Sequence, residues 1–220
     1  MLPTIHKYDQ LVKPLVFLQA AGFESAIIAG GAFRDIYHGW YPRDIDIFVW
    51  DPAFSNEKTP FEKLKNNRKE NPGHVWRTGP DMDAMWSNIM RLDDMDIIEQ
   101  RFGEYDEQKG KITAVWDVWK SLINFQIIFT KLRPVDHMEQ NFNIGLCKCY
   151  CDGTKVRFTG DFMRDASNKT LTIVGKNLTQ REYDHTIDTH IPRIKGKYPN
   201  FTIKHSVENE KKFVNKDVPF

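Results

Sequence analysis

The sequence predicts a mixed α/β domain: a β-sheet with helices packed on one side and a small C-terminal extension. Three observations predict it. Apolar runs of strand length alternate with segments of helical period, a Gly-Gly pair sits between the first such run and the helix after it, and an Asp-Gly turn joins two alternating runs. The chain has 220 residues, of which 40% are hydrophobic, 28% charged and 13% aromatic. That is enough apolar matter to offset the entropy of ordering, and it excludes a disordered chain.

Taken in order, residues 10–21 place Leu11, Leu15, Leu18 and Ala21 at helical spacing, with Gly22 as a stop. This start reads as an amphipathic helix rather than a secretory signal. Residues 25–29 form a short β-like run ending at Gly30-Gly31, 32–38 a brief helix closed by Gly39, and 44–50 a strand of alternating acidic and apolar positions. Residues 51–80 are broken by prolines and glycines around a charged stretch. Residues 81–107 carry nine acids and two arginines, and the spacing of Met85, Ile89, Leu92, Met95 and Phe102 predicts an amphipathic helix there. Residues 114–119 open a further element, 122–129 read as a buried strand, and 143–151 with 154–159 as a hairpin across Asp152-Gly153. Beyond it comes a polar stretch with a helix predicted over 178–190, basic from Arg193 onward. The expected organisation is a core over 1–160, with 51–110 as an insertion or lid, and an extension over 161–220.

Thirty-one Lys and Arg against thirty Asp and Glu leave a formal net charge of +1, so bulk charge makes no case for a nucleic-acid coat or a membrane-surface binder. No apolar stretch reaches the roughly eighteen residues of a membrane span. Cys147, Cys149 and Cys151 alternate along one predicted strand, where neighbours cannot form a disulfide. A reducing, cytoplasmic compartment follows. His185 and His190, five apart, do not share a face of an α-helix, so no metal site is expected from them.

The chemistry lies in residues 28–49. Gly30 and Gly31 let backbone N–H groups approach an anion, and the helix after them points its positive end the same way. Asp44 and Asp46, two apart on a strand, emerge on one face while Ile45, Ile47 and Val49 pack behind. Two neighbouring carboxylates call for a divalent cation, and Mg²⁺ (or Mn²⁺) completes its shell with phosphate oxygens and water. A phosphate cradle beside such a pair outlines a phosphoryl-transfer site.

Gly30-Gly31-x-x-Arg34-Asp35 followed by Arg43-Asp44-Ile-Asp46-Ile resembles the signature of the DNA polymerase β-like nucleotidyltransferase superfamily, and most of all the head domain of tRNA nucleotidyltransferases and poly(A) polymerases. Residues 125–133 are similar to the strand that presents a third carboxylate and ends in Arg. Residues 140–146, running on to Asp152-Gly153, are similar to the segment and hairpin that follow. The resemblance, over about residues 25–160, implies a nucleotidyltransferase-type sheet. It also implies an enzyme that moves a nucleoside monophosphate from an NTP to a hydroxyl on RNA (a tRNA 3′ end among the options) or on a protein. Asp44 and Asp46 would be the catalytic metal ligands. Gly30, Gly31, Arg34, Arg43 and Arg133 would bind the nucleotide, and Arg193, Lys195 and Lys197 would meet an RNA or another partner.

Two departures stand out. The third-carboxylate position holds Gln126, or Asn124 one register over. Either a pair of acids suffices, or Asp94, Asp96 or Asp136 substitutes, or the chain is an inactive nucleotide- or partner-binding module. An EDxxR-like segment and room for a long helical body are missing as well, which argues against CCA addition.

Overall fold

Residues 9–20, 23–50, 96–101, 112–120 and 123–214 are described by the structure, a computed structural model. Leu11, Leu15 and Leu18 bury one side of α1 (Asp9–Ala20), while Val16 faces solvent. The chain then enters β1 (Ile27–Ala29), turns at Gly30 into α2 (Gly31–Tyr37), and returns as β2 (Asp44–Trp50) antiparallel to β1. β3 (Asp96–Arg101), β4 (Ile112–Lys120) and β5 (Ile123–Thr130) follow. α3 (Pro134–Asn141) begins on a proline whose fixed φ suits a first turn. After a short 3₁₀ turn, β6 (Cys149–Cys151) and β7 (Val156–Phe158) form the hairpin.

These strands make a seven-stranded sheet in the order β3-β4-β5-β2-β1-β6-β7. The β2–β5 pair is parallel and every other pair antiparallel, which makes the sheet mixed. Ile28, Ile45, Ile47, Val49, Phe125 and Ile127 point to one face and pack with side chains of α1, α2 and α4 (Gly160–Asn168). Ile27, Ala29, Phe48, Val115 and Ile128 point to the other and pack against Met138 of α3. Helices thus lie on both faces, not one. Apolar residues in adjacent positions, Ile27-Ile28, Phe48-Val49 and Ile127-Ile128, give both sides of the central strands surface to bury.

The C-terminal third joins the same core. β8 (Thr170–Ile173) pairs in parallel with β9 (Thr202–His205). Between them run α5 (Gln180–His185), a π-helical turn (Thr186–His190) and α6 (Ile191–Lys197). Phe162, Leu171, Ile191, Ile194, Tyr198 and Phe201 share one buried cluster with the strand residues Ile28, Ile45 and Ile47. α7 (Val207–Asn209) and a further π turn (Glu210–Val214) end the described chain.

Two sequence expectations need correction. Within 81–107 the described residues form a strand, not a helix: Ile97 pairs with Val118 and Arg101 with Val115 at the edge of the sheet. Ile97-Ile98 satisfies either period, and the open edge of β4 decides between them. Cys147 lies in the 3₁₀ turn, so only Cys149 and Cys151 share a strand face; all three thiols are free. Most of the 51–110 segment lies outside the described residues.

Candidate nucleotide-transfer site

Gly30 is where β1 must stop. Its φ of 87° and ψ of −127° lie where a side chain is strained, and its N–H donates to the Cys149 carbonyl at 3.2 Å. A Cβ there would sit 3.5 Å from the Phe142 ring and 3.8 Å from Asp46 Oδ2, so the bare Cα lies against the carboxylate. α2 has only seven residues, which limits its dipole and leaves cationic side chains as the main attraction for an anion.

Asp44 and Asp46 stand on the face of β2 that Phe48 shares, Asp44 exposed and Asp46 half-buried. The parallel register puts Asn124 opposite Asp44 and Gln126 opposite Asp46. Both amides therefore flank the acid pair, one for each alternative weighed from the sequence. Opposite Gln126 on the next strand is Asp117, which sequence spacing alone did not single out. Asp96 lies on the edge strand beyond it, Asp136 is exposed on α3, and Asp94 lies outside the described residues.

Gly30, Asp44, Asp46, Asn124 and Gln126 open into a cleft of about 550 Å³. It is lined by the glycine turn with Arg34, Asp35 and Cys147, and by Arg43, Asp44, Asp46, Asn124 and Gln126. Phe48, His137, Asn141 and Phe142 line it as well, His137 buried against Phe48 with ring centroids 5.6 Å apart. His190 from the π turn and Arg193, Ile194 and Lys197 from α6 also line it. Those positions follow i, i+3, i+4 and i+7, one helical face. Among the described residues no cluster of three or more His, Cys, Asp or Glu is placed to hold a metal.

Residues 2–169 match the model of the Gabija anti-defense 2 family. The chain belongs to that family. No curated protein matches it. Solved structures with a similar fold include a tRNA-processing enzyme in an apo form, at 15% identity and a TM-score of 0.48, covering 100% of this chain and 50% of that one. The Thermotoga maritima CCA-adding enzyme complexed with tRNA matches at 13% identity and a TM-score of 0.45, covering 90% and 40%. A CCA-adding enzyme in complex with CTP matches at 12% identity and 0.46, covering 95% and 44%. The chain spans half or less of the length of these enzymes.

In this Gabija anti-defense 2 chain the arginine of the Gly-Gly-x-x-Arg-Asp motif is already engaged. Arg34 Nε and Nη2 donate to Asp35 Oδ1 at 2.8 and 2.7 Å, and Nη1 donates to Cys147 Sγ at 3.3 Å. Asp35 also accepts from the Tyr198 hydroxyl at 2.9 Å and from Lys197 Nζ. Burial opposes the Asp35 charge, but the Arg34 cation and the bonds from Lys197, Arg34 and Tyr198 outweigh it and hold the carboxyl below its ordinary range. The pair therefore ties the glycine turn to α6, and a free arm toward phosphate is not what Arg34 provides. Arg43 and Arg193 are both exposed and line the cleft.

Two other cations depart from expectation. Arg133 lies at the far end of β2 and β5, its guanidinium 4.8 Å from the Trp50 ring centroid, because Trp50 and Thr130 close the register opposite the acid pair. Lys195 donates to the carbonyls of Pro199 and Phe201 at 3.0 and 2.9 Å, closing the helix end instead of facing the cleft. His185 and His190 do meet, with ring centroids 4.8 Å apart, because the π turn brings residues five apart onto one face. His190, His137 and Asn141 join the cleft with no sequence signal beyond their places in polar helices.

Proposed function

We propose that this chain is a metal-dependent nucleotidyltransferase that moves a nucleoside monophosphate from an NTP to an acceptor hydroxyl. The observation that carries the reading is the juxtaposition of Asp44 and Asp46 with the bare Cα of Gly30 in one cleft whose remaining walls hold Arg43, Arg193 and Lys197. The donor set fits Mg²⁺ or Mn²⁺: two carboxylates on one strand face, flanked by the amides Asn124 and Gln126, all of them hard oxygen donors. Such an ion, when bound, neutralises phosphate charge and lowers the barrier to attack on phosphorus.

The chain's own residues do the rest. The Gly30 N–H is held by the Cys149 carbonyl, so the turn offers the triphosphate the bare Cα of Gly30 and the Gly31 backbone, and Arg43 and Arg193 hold it by charge. The attacking oxygen forms a bond to the α-phosphorus, the bond from that phosphorus to the bridging oxygen breaks, pyrophosphate leaves, and the hydroxyl proton passes to solvent. This chemistry asks for positioning and charge stabilisation, which is what the cleft offers. On this reading the acceptor is an RNA or protein hydroxyl and the reaction acts against the Gabija system, a reading supported by the description of the family. A cytoplasmic site of action belongs to the same reading; among the described residues no helix is long and apolar enough to cross a membrane.

Gln126 opposite Asp46 favours a second reading, a nucleotide-binding module without catalysis. Incubation with each α-³²P-labelled NTP, Mg²⁺ or Mn²⁺, and RNA or protein acceptors separates the two. Label transfer that disappears in the Asp44→Asn/Asp46→Asn variant supports the enzyme. NTP binding with no transfer to any acceptor supports the module.

A further inference from the structure

Trp40 and Tyr41 are the feature that the reading above leaves unused. They stand in the loop between α2 and β2, 53% and 65% exposed, among the most exposed large hydrophobic side chains of the described protein. The loop is fixed at both ends. Trp40 N–H donates to the Asp35 carbonyl at 2.8 Å, Gly39 N–H to that of Ile36 at 3.0 Å, and Pro42 is buried. Gly39, at a φ of 82°, makes the bend that turns the two rings outward. Neither ring stacks on another ring among the described residues.

Their position gives them meaning. Three Cα steps separate Trp40 from Arg43, so it lies within about 11 Å of that arginine at the cleft mouth. Arg43 and Arg193 are exposed at the cleft, and Trp40 and Tyr41 come just before Arg43 in the chain, so exposed aromatic faces and cationic charge lie close together near Asp44. Aromatic faces beside a cationic track form the usual grip on unpaired bases, because every base has a π-face and every phosphate a charge. A duplex keeps its bases stacked inside and has nothing to offer the rings.

We infer that Trp40 and Tyr41 form a stacking platform for a single-stranded nucleic acid, which presents its terminal hydroxyl to the Asp44–Asp46 cleft. The inference rests on the nucleotidyltransferase reading and narrows its acceptor from RNA or protein to an unpaired strand. Trp40 and Tyr41 are positioning residues: they hold the strand and leave the reacting phosphorus to the cleft. A preset loop spends little entropy on ordering when the strand arrives.

The test uses the full chain and a 5′-fluorescein-labelled, mixed-sequence RNA 12-mer, read by fluorescence anisotropy as a single strand and as a blunt duplex. Wild type should bind the single strand at least about ten-fold more tightly than the duplex. Trp40→Ala and Tyr41→Ala should each weaken the single strand about ten-fold, and Trp40→Phe should restore most of the Trp40 loss. Both side chains are largely solvated, so thermal unfolding of these variants should match wild type. An unmeasurable affinity for the single strand, equal affinity for the duplex, or Ala variants that bind like wild type each overturn the inference. So does unchanged RNA affinity in a Trp40→Ala variant that has lost binding to a protein of the Gabija system. The underlying reading is scored separately, by the Mg²⁺-dependent thermal shift with ATP, CTP, GTP or UTP. Asp44→Asn/Asp46→Asn should abolish that shift while keeping the affinity for RNA.

Discussion

Removing the Asp35 carboxylate should cost this protein more than removing any acid on its surface. Asp35 is 2% exposed and Arg34 6% exposed, and Asp35 Oδ1 alone takes two guanidinium bonds and the Tyr198 hydroxyl. In Asp35→Ala the Arg34 cation loses its carboxylate partner and keeps the weak bond to Cys147 Sγ and its place over the Tyr198 ring, and Lys197 loses its anchor. Breaking a buried ion pair from one side costs about 3–5 kcal/mol, because the surviving charge stays buried and unpaired. For a chain of this size about 1 kcal/mol shifts Tm by roughly 2–4 °C, so the melting temperature should fall by about 10 °C. The assay is thermal and urea unfolding of wild type, Asp35→Ala, Arg34→Met and the double variant. The double variant should be destabilised by about 2 kcal/mol less than the sum of the singles, since it removes the stranded charge. A loss below about 1 kcal/mol in Asp35→Ala, or strict additivity, would refute the reasoning. The pH dependence has a definite sign: a carboxyl held below its ordinary range contributes stability above about pH 4. That contribution should disappear as acid drives the pH down through the lowered folded value.

Other outcomes follow from the same geometry. Gln126→Asp places a third carboxylate beside Asp46 and should tighten Mn²⁺ binding by about ten-fold, measured by calorimetry; weaker binding would show that the amide is not at the ion. Arg193→Ala should weaken NTP binding about ten-fold while Arg133→Ala leaves it unchanged, since only the first lines the cleft. Burial pushes the thiols of Cys149 and Cys151 up, whereas Cys147 is partly open to the cleft. Iodoacetamide on the native protein, read by mass spectrometry, should therefore label Cys147 first, and an equal rate at all three would contradict the packing.

Much of the fold and the heart of the site are written in local patterns. The runs at 25–29, 44–50 and 122–129 announce the strands found at 27–29, 44–50 and 123–130, because alternating or continuous apolar residues bounded by glycine, proline or charge have few other uses. Asp44, Asp46, Gly30 and Gly31 announce a site because their spacing sets their geometry. What stayed hidden depends on partners far along the chain. Arg34 looked like a phosphate arm, but its guanidinium is held by Asp35 and Cys147, and Asp35 is held in turn by Lys197, more than 160 residues away. The strand at 96–101 takes its state from the open edge of β4, and the His185–His190 contact from a π turn that ordinary helical periodicity does not signal. The π turn lies just before the inward-facing residues of α6, where it sets which of them reach the cleft.

Calorimetric titration of the full chain with each NTP, in Mg²⁺ and again in excess EDTA, reaches the central claim by the shortest route. At least one NTP should bind in Mg²⁺, lose that binding in EDTA, and lose it equally in Asp44→Asn/Asp46→Asn. Binding that ignores both the cation and the loss of the two carboxylates would contradict it.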